Sequence, residues 1–87
     1  MGELTKLVNI GAKLEQQLNN VGIFTEQQLR DAGSKQAWAM ILQNDPSACI
    51  MRLSALEGAV RGIRWRDLPE DVKADLKAFY HDKKRKD

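Results

Sequence analysis

The sequence predicts an all-α fold: a compact five- to six-helix domain whose N-terminal half has helix-hairpin-helix character and whose centre is a helix over residues 46–62. Three observations predict it. Cys49, Leu53, Leu56, Val60 and Ile63 recur at steps of four and three, which at roughly 100° per residue stack into one stripe. Glycines and capping residues punctuate the chain at helix-length intervals. β-Branched residues are scattered and never alternate, so no strand pattern competes.

The elements follow in order. Glu3 to Val8 can form a short first helix, with Leu4, Leu7 and Val8 on one side. Asn9-Ile10-Gly11 breaks it, because Gly11 can take positive φ and Asn tolerates it. A second helix is predicted from Ala12 to Asn20, with Ile10, Leu14, Leu18 and Val21 as its apolar stripe and Gly22 at its end. Thr25 opens a third with a capping box closed by Gln28, bracketed by Phe24 and Leu29 as a hydrophobic staple. Gly33 closes that helix and Ser34 is expected to cap the fourth, where Trp38, Ile41 and Leu42 face inward as far as Gln43-Asn44.

The central helix is expected to take its N-cap oxygen from Asp45, with Pro46 where a missing N–H costs nothing and Gly62 in the left-handed position past its end. Ala48, Ala55 and Ala59 widen its apolar arc beyond half the circumference, so it needs neighbours on two sides. Gly58, costing about 1 kcal/mol against alanine in mid-helix, marks close approach of another backbone, within the domain rather than across a dimer. Ile63 to Leu68 reads as an exposed connection carrying Trp65. Pro69 starts the last helix; Val72, Leu76 and Phe79 line its inner side and Tyr80 its flank.

Eighty-seven residues make one domain, expected over 1–80, with 81–87 as a basic, disordered tail. Residues 1–80 carry ten Lys/Arg and ten Asp/Glu, so the net charge of +2 resides in the tail. A neutral body argues against nucleic-acid binding driven by overall charge. No apolar run approaches the roughly 18 residues of a membrane span, and no secretory leader pattern is visible, which leads to the expectation of a cytoplasmic protein without membrane contact. One cysteine precludes an intrachain disulfide, and zinc would need ligands that are lacking, so neither metal nor cofactor is expected.

Catalytic patterns are wanting too. His81 is the single histidine and falls in the tail, while Cys49 sits on the core stripe. No nucleophile–base set or glycine-rich phosphate loop appears, so no enzyme and no small-molecule substrate is expected.

Binding motifs remain. Leu7 to Leu14, continuing to Gly22-Ile23, has helix-hairpin-helix spacing, in which a glycine hairpin aims backbone N–H groups at a phosphate ahead of a helix N-terminus. Asn9 replaces the first of the two glycines such hairpins carry, and Lys13 lies one turn in, placed for a charge-assisted contact. The plainer reading is that Gly11 only permits a tight turn. Arg61, Arg64 and Arg66 bracket Trp65, a combination that grips phosphates and stacks on bases. The same arginines can instead cover Trp65 or pair with Glu57, which stands four residues before Arg61. Arg52 lies inside the apolar arc, either running along the surface to water or meeting a partner.

The ordered set Asn9-Ile10-Gly11-x-Lys13-Leu14, Gly22-Ile23-x-Thr25, Leu29, Gly33, Ala55-Leu56-Glu57-Gly58-Ala59, Gly62, Trp65 and Leu68-Pro69 with Lys73 and Leu76 resembles the C-terminal domain of TfoX/Sxy proteins, bacterial regulators of DNA-uptake competence. The resemblance covers about residues 5–79. It implies a small all-α domain, a bacterial source and a role in transcriptional control as a co-regulator. Two-domain members carry an α/β domain ahead of this module, and the expectation here is a stand-alone copy. Two functions follow as expectations. One is a non-enzymatic interaction module binding a protein, a second copy of itself included, around Arg52, Trp65 and the hairpin. The other is a nucleic-acid-binding module that sets the Gly11 hairpin, Lys13 and Arg61/Arg64/Arg66 on one DNA backbone.

Overall fold

Five α-helices and two short 3-10 turns follow one another in the computed structural model, which describes residues 3–85. The helices are α1 (Ala12–Asn20), α2 (Glu26–Ala32), α3 (Ser34–Asn44), α4 (Ile50–Arg61) and α5 (Glu70–Arg85), and the turns span Leu4–Lys6 and Trp65–Asp67. The expected all-α class holds, with no strand among the described residues. No helix among them is long and apolar enough to cross a membrane.

The predicted stripe does its work at two positions above all: Leu53 and Leu56 of α4 are wholly buried, against a shell that includes Leu18, Leu29, Trp38, Ile41 and Leu76. Burying each such leucine contributes about 1.5–3 kcal/mol, so α4 is the centre about which α2, α3 and α5 assemble. Trp38 anchors the α3 side. Its indole N–H donates to the Cys49 carbonyl at 3.2 Å, and its ring meets Phe79 and Tyr80 of α5.

The central helix begins four residues later than the sequence predicts, at Ile50 rather than Pro46. Asp45 caps nothing there. It ends α3 in extended conformation, and its Oδ1 accepts the Ser47 N–H at 3.0 Å while Ala48 N–H donates to the Asp45 carbonyl at 3.0 Å. Pro46 thus occupies a turn, and a local aspartate bond of this kind competes with helix. Cys49 takes the N-cap geometry without a side-chain bond. The other end is as expected: Gly62 has φ 79°, with Ile63 N–H donating to the Gly58 carbonyl at 2.9 Å, a Schellman closure.

The capping box of Thr25 and Gln28 is present in full, although Phe24 of the expected staple stays 55% exposed. Ser34 is corrected: Gly33 precedes α3, and Ser34 is its first residue, donating its hydroxyl to Glu57 instead of capping. The tail is corrected as well. α5 runs on to Arg85, where Lys84 Nζ donates to the Pro46 carbonyl at 2.5 Å and Lys83 lies over the Phe79 ring. No glycine or proline interrupts that stretch, and the bond from Lys84 to the Asp45–Ala48 turn rewards its order. The last two positions of the expected tail lie outside the described residues.

Candidate functional site

The hairpin between the first turn and α1 reverses the expected roles of its residues. Asn9 takes the positive φ, at 72°, whereas Gly11 is extended at φ −95° and stands at the N-cap of α1. Asparagine reaches this region because its side chain can satisfy backbone groups nearby, and here it does so across the fold. Asn9 Nδ2 donates to the carbonyls of Ala55 and Ile63 at 3.3 and 3.0 Å, and Oδ1 accepts the Trp65 N–H at 3.3 Å. Three of its four hydrogen-bonding positions are thus engaged. The amide points into the protein, pinning the hairpin to the end of α4.

The predicted basic residues separate into different settings. Arg61 Nε donates to Glu57 Oε2 at 2.5 Å. Burial pushes the Glu57 carboxyl up, but the Ser34 hydroxyl and the Arg61 guanidinium outweigh it and hold the group below its ordinary value. Arg52 pairs with Asp45 at 2.8 Å, where Gln17 also donates to Asp45. Bonds from the Ser47 hydroxyl and from Arg52 hold the Asp45 carboxyl well below the carboxylate range. Arg66 sits over the Trp65 ring, 5.6 Å from its centroid. Arg64 and Lys13 are exposed and form no ion pair among the described residues. Of the eight candidates, four are brought together: Asn9, Arg64, Trp65 and Arg66 line, with Val8, a hollow of about 320 Å³. Arg52 and Arg61 are committed elsewhere, and Gly11 and Lys13 lie outside that lining.

A larger feature opens on the other side of Trp65. Between the first turns of α4 and one face of α5 runs a groove of about 490 Å³. Ile50, Met51, Trp65 and Tyr80 supply its apolar surface, and Lys73 and Lys77 stand along the α5 wall. Met51 is 51% exposed, and Lys73 Nζ is steadied by the Arg66 carbonyl at 3.2 Å. Ser54 and His81 complete the lining; His81, expected in a tail, lies on α5. Sequence reasoning missed Ile50, Met51, Lys73, Lys77 and His81. The signal was the excess width of the α4 apolar arc: Leu53 and Leu56 fill the core stripe, leaving Ile50 and Met51 over. What the groove can do chemically is bind, by apolar contact beside fixed positive charge.

A family model described as the TfoX C-terminal domain matches residues 1–80. Among solved structures, that of an uncharacterized protein from Listeria monocytogenes, in a triclinic form, is 51% identical, with a TM-score of 0.90 over 91% of this chain and 90% of that one. A tetragonal form of a protein of unknown function from Listeria monocytogenes is 50% identical, with a TM-score of 0.90 over 92% of this chain and 98% of the other. No curated protein matches the chain.

Proposed function

The chain belongs to the TfoX C-terminal domain family, and from that premise we propose that it is a non-enzymatic bacterial regulatory module, a transcriptional co-regulator that acts by contacting another protein through the groove between α4 and α5. The observation that carries this reading is Met51. Its side chain is 51% exposed and lines an apolar groove together with Ile50, Trp65 and Tyr80, the contiguous kind of apolar surface that marks a contact site. Direct action on nucleic acid draws less support. Asn9 turns its amide inward and Arg61 is paired with Glu57, which leaves Arg64, Lys13 and Arg66, the last lying over the Trp65 ring, as the exposed cations of the predicted set without an ion pair among the described residues. Three such charges give weak binding that salt removes.

The test is photo-crosslinking in the source cell, with a benzophenone amino acid at Met51 and, as a control, at Phe24, the other large exposed hydrophobic among the described residues. A discrete protein adduct formed from position 51, absent from position 24 and unchanged by nuclease, is the expected result. Adducts lost on nuclease treatment would give the surface to nucleic acid; their absence from position 51 would end the proposal.

A further inference from the structure

The α5 wall of the groove carries its residues at helical spacing: Lys73, Lys77, Tyr80 and His81 fall at steps of four, three and one, a stripe about 12 Å long at 1.5 Å per residue. That is a little over two helical turns, the length over which a bound helix presents anchors at i, i+3/i+4 and i+7. The charge along it has one sign. Lys73 and Lys77 line the groove and no carboxylate among the described residues does, even though α5 carries Glu70, Asp71, Asp75 and Asp82. Asp75 illustrates the segregation, since it pairs with Lys35 of α3 at 2.5 Å. Ile50 and Met51 form the opposite wall, and Met51 adapts its shape to whatever it meets.

We propose that the groove receives an amphipathic helix of a partner protein that lays apolar anchors between Met51, Trp65 and Tyr80 and sets Asp or Glu side chains against Lys73 and Lys77. This inference rests on the reading of the groove as a protein-contact surface and adds the chemistry of the partner. The apolar contacts hold the helix, while the lysines choose its charge and orientation. A basic or neutral helix of the same shape fits the groove but forgoes or opposes that choice.

The experiment uses three fluorescent, covalently stapled helical peptides of about four turns, identical in their Leu/Phe stripe and carrying Glu, Gln or Lys on the flank. Binding to the full chain is followed by anisotropy and located by amide chemical-shift mapping. The Glu peptide is expected to bind about threefold tighter than the Gln peptide and at least about tenfold tighter than the Lys peptide. Its advantage should shrink between about 0.05 and 0.3 M salt, and shifts should centre on Met51, Trp65 and Tyr80. A K73E/K77E variant, shown folded by its melting curve, should reverse the order. Equal or preferred binding of the Gln or Lys peptide overturns the acidic partner while leaving the groove as a contact surface. Binding by none of the three, shifts elsewhere, or a concentration-dependent dimer abolished by M51E overturns the helical partner; the crosslinking at Met51 judges the contact surface separately.

Discussion

The side-chain amide of Asn9 rests against the Cα of Gly58, in the space a side chain at position 58 would need. A Cβ there would also come within 2.6 Å of the Ile63 carbonyl and 3.2 Å of the Trp65 N–H. The mid-helix glycine and the positive-φ asparagine are therefore one device, joining the hairpin to the end of α4 and holding the backbone of Trp65 between the two cavities.

Gly58→Ala should lower stability by about 1–3 kcal/mol, because overpacking against backbone outweighs the gain in helix propensity. Asn9→Ala should cost about 1–3 kcal/mol by leaving the Ile63 carbonyl and Trp65 N–H without their partner. The double variant should be less damaged than the sum by at least about 0.5 kcal/mol, since removing the Asn9 amide relieves part of the clash that the added methyl group at position 58 creates. Urea denaturation of the four proteins checks the cycle.

The glycines of the two turns should respond in opposite ways. Gly62→Ala forces a Cβ into φ 79° and should cost about 1–2 kcal/mol. Gly11 has an extended backbone with open space around its Cα and stands at an N-cap, so Gly11→Ser should leave stability unchanged or raise it by a few tenths of a kcal/mol. A loss above about 1 kcal/mol on Gly11→Ser would show that the hairpin needs glycine there after all.

The capping box makes α2 sensitive to one oxygen. Thr25→Ala should cost about 1 kcal/mol, lowering the melting temperature by about 4–8 °C for a chain of this size. Thr25→Ser keeps the acceptor for the Gln28 N–H and should restore most of the loss.

Acid should destabilise the fold through two carboxylates. Glu57 and Asp45 both titrate below their ordinary values of 4.5 and 3.8 in the folded chain. Their contribution is therefore complete above those values and is withdrawn as pH falls below them towards the folded pKa values. The melting temperature should be level above about pH 5 and fall from about pH 4 downwards. Glu57→Gln and Asp45→Asn should each lower the plateau and flatten the descent. An unchanged slope in both variants would remove these pairs from the account.

Much of this was legible before any coordinates. The bounds of α1, the Thr25–Gln28 box, the left-handed Gly62 and the close approach at Gly58 each depend on residues adjacent in sequence or on a backbone conformation that one residue type favours. What misled was local ambiguity between two uses of the same group. Asp45 and Pro46 suit a helix start as well as a turn, and here the carboxylate accepts the Ser47 N–H and hydroxyl within a turn, with α4 starting only at Ile50. Ser34 suits a cap, yet Glu57 from α4 claims its hydroxyl. Lys83 and Lys84 look like a tail until Phe79, Tyr80 and the Pro46 carbonyl are placed beside them.

The sequence by itself determined the helical class, the identity of α4 as the core helix and the family pattern, because periodicity, caps and glycine conformations are properties of neighbouring residues. Only the tertiary structure decided that Arg52 pairs with Asp45, where Asn9 aimed its amide, and that Ile50, Met51, Trp65, Lys73, Lys77 and Tyr80 share one groove. Those residues lie on two helices and a turn. Their proximity follows from how α5 lies along α4, and that arrangement is set by the summed burial of the whole core rather than by any stretch of chain.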